Sequence, residues 1–167
     1  FDCRFSLADR AYGRNRYRES HLPGAQFADL ELDLSGKIEP GKTGRHPLPD
    51  IEPLTDFLRS KGVFDESLVV AYDDAKGAIA ARLWWMMKWL GHQDVAVLDG
   101  GWQLWMAEER QVTSEAKSPS PGDFKPEVQE QLVVNADVVH RQITEAQGRI
   151  FDSRTADRYA GENETID

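Results

Sequence analysis

Two adjacent carboxylates, Asp73 and Asp74, close the apolar run LVVAY at 68–72 and stand directly before a helix-forming stretch. Acids at such a place could act as a magnesium-binding pair or a phosphoacceptor. Neighbouring residues of a strand point to opposite faces, however, and the Asp-x-Asp spacing of the common aspartate phosphatases is absent. The favoured reading is structural: the Asp73 carboxylate accepts N–H groups of the following loop and faces the positive end of the helix through Ile79. Cys3 lies between Asp2 and Arg4 with no partner thiol or histidine in a motif, which reads as a buried or half-buried structural cysteine rather than a nucleophile. His21, His46, His92 and His140 fall in separate segments without the spacing of a zinc site, and His21 in HLPGA reads as fixing a turn. Gly100 and Gly101 in DGGW lack the further glycine and lysine of a nucleotide loop. No metal and no cofactor are expected.

The elements that must position these residues follow from periodicity. Residues 68–72 and 95–98 (VAVL) read as short buried strands, and 78–91 (AIAARLWWMMKWLG) as a nearly buried helix stopped by Gly91. Further helices are expected from Pro53 to Lys61, ending at Gly62, and from Gly101 to Glu109. Strand, helix, strand, helix in that order predicts an α/β fold with a parallel sheet. From Thr113 to Glu127 the composition changes to TSEAKSPSPGDFKPE, as a linker or extended crossing segment would show. Asn135 then caps a helix running through Val138, Val139, Ile143 and Ala146 to Gly148, and a strand at 150–152 follows. The stretch 128–167 therefore reads as the opening of a second α/β unit. FDCRFSLADRAYG at 1–13 and FDSRTADRYAG at 151–161 form an internal repeat that supports this.

Composition narrows the partners. The 167 residues carry 29 acidic against 20 basic side chains, a formal net charge of −9, with no Lys/Arg-rich run. That argues against nucleic acid or an anionic membrane surface, both of which need clustered positive charge. No stretch reaches the roughly 18 consecutive apolar residues of a membrane span. A single cysteine excludes an internal disulfide and fits a reducing compartment. Cytoplasmic location is the expectation. A mitochondrial one stays open, because a leader could have preceded Phe1 and the chain reads as a piece of a longer polypeptide.

The motifs FDCR at 1–4, HLPGA at 21–25, GRHPLP at 44–49, VVAYDDAKGAIAARLWWM at 69–86, VLDGGWQLW at 97–105 and FDSRTADRYAG at 151–161 together resemble the tandem-domain rhodanese family, the thiosulfate and 3-mercaptopyruvate sulfurtransferases. The resemblance implies a rhodanese-like α/β fold, a central mostly parallel sheet with helices on both faces. It places most of a first, non-catalytic domain at 1–112, a linker and leading helix at 113–149, and the start of a catalytic second domain at 150–167. It implies sulfane sulfur transfer through a cysteine persulfide, from a small anionic donor to a thiol or cyanide. Asp73 stands where the first domain's nucleophile would be, and the active cysteine would lie beyond this chain, which alone should be inactive. Arg158, and with it Arg154, match arginines that bind the anionic donor, since a guanidinium fork holds such anions by paired hydrogen bonds. The plainer reading of both is a surface ion pair with Asp152 or Asp157. The first domain is expected to pack against the second; the tryptophans at 84, 85, 89, 102 and 105 read as core or as the face for that packing rather than as a ligand cage. A free-standing rhodanese-like binding or scaffold module is the alternative.

Overall fold

Val69–Ala71 (β1) and Val95–Val97 (β2) pair in parallel, with Val69 opposite Val95 and Ala71 opposite Val97. Ala80–Trp89 (α3) connects them, so the β-branched runs and the Leu/Met/Trp-rich helix between them form one βαβ unit. Asp2 widens the sheet, bridging in parallel to Tyr72 on one side and to Phe27 on the other. The fold is thus α/β, with a small parallel sheet.

The computed structural model describes residues 1–145 and 148–163, which divide between two compact units, Phe1–Gln129 and Glu130–Asp167. The first unit contains four helices: Tyr12–Glu19 (α1), Ile51–Ser60 (α2), α3, and Gly101–Ala107 (α4). Its core gathers Leu54 and Leu58 of α2, Leu83, Met86 and Met87 of α3, and Val69, Ala71 and Val95 of the sheet around Cys3, Ala28 and Leu34. One expectation needs correcting. The third helix begins at Ala80 rather than 78, because the preceding backbone N–H groups turn toward Asp73. The helix is nearly buried, as expected along its Leu83, Met86 and Met87 face, with Trp84 37% exposed. The first helix was not anticipated: YGRNRYRE is polar and buries only Gly13 and Tyr17.

The proline-rich stretch after α4 is extended but docked. Thr113 bridges antiparallel to His21, Gly122 donates to the Arg59 carbonyl, Arg59 Nε donates to the Phe124 carbonyl at 2.9 Å, and Glu127 donates to the Leu90 carbonyl. Phe124 is buried in the first unit's core. At Gly91 (φ 86°) a Cβ would come within 2.6 Å of the Glu127 carbonyl oxygen, so glycine serves both as helix stop and as seat for this strap.

The second unit carries a 3₁₀ turn at Glu130–Leu132 and helices Ala136–Thr144 (α5) and Ala156–Tyr159 (α6). Asn135 caps α5 as expected, its side-chain oxygen accepting from the Val138 N–H at 3.0 Å. Ala146 and residues 164–167 lie outside the described residues. The expected strand at 150–152 has no ladder, and no described residue of this unit is buried. A strand exists only by its partners, and its counterpart Asp2 has two where 150–152 has none among the described residues. No described helix is long and apolar enough to cross a membrane.

If the strap belongs to the first fold, a chain ended at residue 129 keeps a cooperative thermal transition and one ended at 112 does not. Phe124→Ala should cost about 3–5 kcal/mol in chemical denaturation. Equal stability of the two truncated chains would refute this.

Candidate functional site

The C-terminal ends of parallel strands are where open α/β sheets present their sites. β1 runs into Tyr72 and Asp73, and the loop that follows turns through two left-handed residues, Lys76 (φ 58°) and Gly77 (φ 85°). This curl aims four backbone N–H groups at one point. Asp73 fills it: Oδ1 accepts from Ala75 and Gly77, and Oδ2 from Ile79 and Ala80, each at 2.8 Å. A carboxylate offers about four lone-pair positions, and all four are engaged. The side chain is 1% exposed, so no oxygen is presented to a metal or a phosphodonor. Among the described residues no group of three or more His, Cys, Asp or Glu side chains is placed to hold a metal ion. Asp74 faces elsewhere, accepting the Tyr12 hydroxyl at 2.5 Å, while Gln103 donates to its backbone carbonyl. That hydrogen bond to Asp74 is the main reason the Tyr12 phenol is held above its usual range.

Beside the loop lies a cleft of about 550 Å³, lined by Lys76, Gly77, Val97, Asp99, Gly100 and Gln103 among others. Gly100 and Gly101 serve close packing, since Trp102 N–H, one residue on, donates to the Asp73 carbonyl. The geometry is that of an anion cradle whose anion is a side chain of the protein.

A second buried carboxylate sits one strand away. Asp2 is wholly buried and takes Arg4 in a fork, with Arg4 Nε 3.0 Å from both oxygens and Nη2 2.6 Å from Oδ2. Tyr72 donates its hydroxyl to Asp2 Oδ2 at 2.8 Å, and Arg4 Nη2 also reaches the Ser20 carbonyl at 2.6 Å. The Trp102 ring lies over the guanidinium, 4.1 Å from its carbon. Removing one partner of such a pair leaves a buried charge and costs about 3–5 kcal/mol. Gly13 completes the arrangement, because a Cβ there would overlap the Arg4 carbonyl oxygen.

Cys3, His21, His46 and His92 are engaged in packing and hydrogen bonds. Cys3 is fully buried, and burial chiefly, with help from the Asp2 and Asp73 charges, pushes its thiol up to about 12. His21 stacks on Tyr17 at 3.9 Å with its ring nitrogens at the Tyr17 and Glu115 carbonyls, so its ring joins α1 to the strap rather than bonding within its own turn. His92 Nε2 meets the Ser67 carbonyl, and His46 stands edge-on to Phe5, held below its usual range by burial and then by Arg82.

The predicted arginines belong to the second unit, Asp73 to the first. Arg154 forks onto Asp152, Nε at 3.1 and 3.0 Å and Nη2 at 2.8 Å, and its backbone N–H donates to the same carboxylate, as Arg4 does to Asp2. The repeat seen in the sequence is therefore a repeat of side-chain geometry. The copies differ in surroundings: Arg4 and Asp2 are 2% and 0% exposed, Arg154 and Asp152 41% and 32%. The Arg154 hydrogen bonds hold the Asp152 carboxyl below its usual range. Arg158 lies in α6, half-buried, beside Asp157, whose carboxyl is drawn down to about 2 by hydrogen bonds from Thr155 and then Asn163. Sequence reasoning missed Tyr72 and Trp102 as supports of Asp2 and its Arg4 partner, and Tyr12 as the partner of Asp74; the repeated Asp-x-Arg was the available signal for the Asp2–Arg4 pair.

The sequence profile of the Rhodanese-like domain family matches residues 1–108. A probable 3-mercaptopyruvate sulfurtransferase of Pseudomonas aeruginosa is 45% identical over 167 residues, 99% of this chain and 59% of that protein. Thiosulfate sulfurtransferase of Bos taurus is 35% identical over 150 residues, 89% of this chain and 49% of that protein. The chain thus spans roughly half the length of these relatives. Among solved structures, SseA from Escherichia coli, a 3-mercaptopyruvate sulfotransferase, superposes with a TM-score of 0.86 at 28% identity, covering 99% of this chain and 63% of that one. The 3-mercaptopyruvate sulfurtransferase from Leishmania major gives 0.78 at 33% identity, covering 95% and 43%.

Two outcomes follow from the site. Asp73→Asn places an amide NH₂ against two of the four N–H groups and should lower stability by about 2–4 kcal/mol in denaturant titration; an unchanged midpoint would show that the carboxylate is not what holds the loop. Folding favours the neutral Cys3 thiol, whereas an unfolded cysteine ionises near about 8.5. Its contribution is complete below that pH and is lost as pH rises from there to about 12. A thiol reagent at pH about 8 should therefore label the denatured chain and spare the native one, and stoichiometric native labelling would contradict the burial.

Proposed function

Since the chain belongs to the rhodanese-like domain family, we propose that it is the non-catalytic leading domain of a thiosulfate or 3-mercaptopyruvate sulfurtransferase, joined to the opening of the catalytic one. In this reading 1–112 form most of the first domain, 113–149 the linker and leading helix, and 150–167 the start of the second. The observation that carries it is the saturated Asp73 carboxylate. At the loop where the family places its persulfide cysteine, four N–H groups that could stabilise a thiolate already hold an oxygen anion. A carboxylate oxygen cannot take and pass on sulfane sulfur, and the one thiol is buried and un-ionised.

The parent protein then moves sulfane sulfur from the anionic donor to a thiol or cyanide through a cysteine persulfide in the second domain, without cofactor or metal. Arg158 is the principal donor-binding residue, with Arg154 supporting it through the Asp152 fork. The first domain packs on the second, and the location is the cytoplasm, where a reduced Cys3 is at home.

The test is sulfur transfer, thiosulfate to cyanide and mercaptopyruvate to a thiol, by the 167-residue chain beside the full-length gene product. Activity is expected only in the full-length protein, with Arg158→Ala lowering kcat/KM there by roughly tenfold or more. Turnover by the 167-residue chain would overturn the split. A gene product that ends near this chain and is inactive would favour a scaffold module instead.

A further inference from the structure

A cleft of about 340 Å³ lies in the first unit, lined by cations from three separate segments. Arg14 and Arg18 are one turn apart on α1, Lys61 caps the end of α2, and Lys117 comes from the strap. It shares no lining residue with the cleft beside Asp73.

In a chain of net charge −9, four cations around one cavity is a local reversal of sign. Two carboxylates oppose them: Asp29 meets Arg14 at 3.3 Å, and Asp33 lines the cleft. Burial raises the Asp33 carboxylate above its usual range, while the Lys61 and Arg14 charges both act on it. The positions are built in by the fold. Arg14 lies over the Phe27 ring at 5.5 Å, and Lys61 over Phe57 at 5.5 Å. Gln26 donates to the Lys117 carbonyl at 2.9 Å and so fixes the strap at the cleft. Like charges gathered in a concave, partly low-dielectric site focus potential and favour a multivalent anion over single ones.

We propose that this cleft is an anion-binding site for a diphosphate-sized polyoxyanion, held by Arg14, Arg18, Lys61 and Lys117. The cavity has room for two linked phosphate groups, whereas a lone sulfate would leave part of the cationic rim unmatched. The reading stands independently of sulfur transfer.

Calorimetric titration of the 167-residue chain at low ionic strength, with inorganic pyrophosphate and separately with ADP, tests it. Saturable binding is expected, weakened at least tenfold in Lys61→Ala/Lys117→Ala and weakened by added salt, while Asp33→Asn tightens it by removing a competing carboxylate. Circular dichroism melts of the variants confirm that each is folded. Equal affinity for the two ligands assigns recognition to the diphosphate; tighter binding of ADP adds a nucleoside contact to it. Failure of both to bind, or binding undiminished in the double variant, overturns the proposal.

Discussion

A carboxylate and a guanidinium removed from water at the middle of a sheet demand that their surroundings be completed, and the first unit is organised around that demand. Asp2 has neighbours in the sheet on both sides, Phe27 and Tyr72, and its charge is met by Arg4 and the Tyr72 hydroxyl. Arg4 in turn needs the Ser20 carbonyl at the end of α1, the Trp102 ring from α4, and the close approach that Gly13 permits. One ion pair thus ties two helices to the sheet, because each leftover hydrogen-bonding group of a buried pair must find a partner.

Asp73 illustrates the same physics with another donor set. Its four N–H partners are groups that a helix start and a left-handed turn would leave unsatisfied. The anion they meet is covalently part of the chain and permanent. The cradle and the anion that fills it are thus built by the same short stretch of chain.

Much of this was legible in the sequence. The βαβ unit followed from LVVAY, the Leu/Met/Trp helix and VAVL, and the Asn135 cap followed from residue type alone. Asp73 as acceptor for its own loop followed from an acid placed before a helix. What stayed hidden depends on contacts distant along the chain. The first helix has too few apolar residues for periodicity to show it, since Gly13 and Tyr17 are its only buried positions. The strap looked like a linker because its single core anchor, Phe124, sits among prolines and charges. The four cations of the basic cleft are spread over residues 14 to 117, so no charge run could betray them. The strand at 150–152 failed for the opposite reason: its residues are suitable, but pairing is a property of two segments.

The docked strap also fixes an order of events during synthesis. His21 and Gln26 take partners 94 and 91 residues later in the chain, and Arg59 takes one 65 residues later. A nascent chain that has produced β1, α3 and β2 already owns a βαβ core, yet must wait for Phe124 before that core is closed. Until then the surface destined for the strap is open to water and to whatever binds exposed apolar side chains in the cell. The prolines and charges along the strap suit a segment that arrives last, because they keep it extended and soluble until it lies down across finished structure.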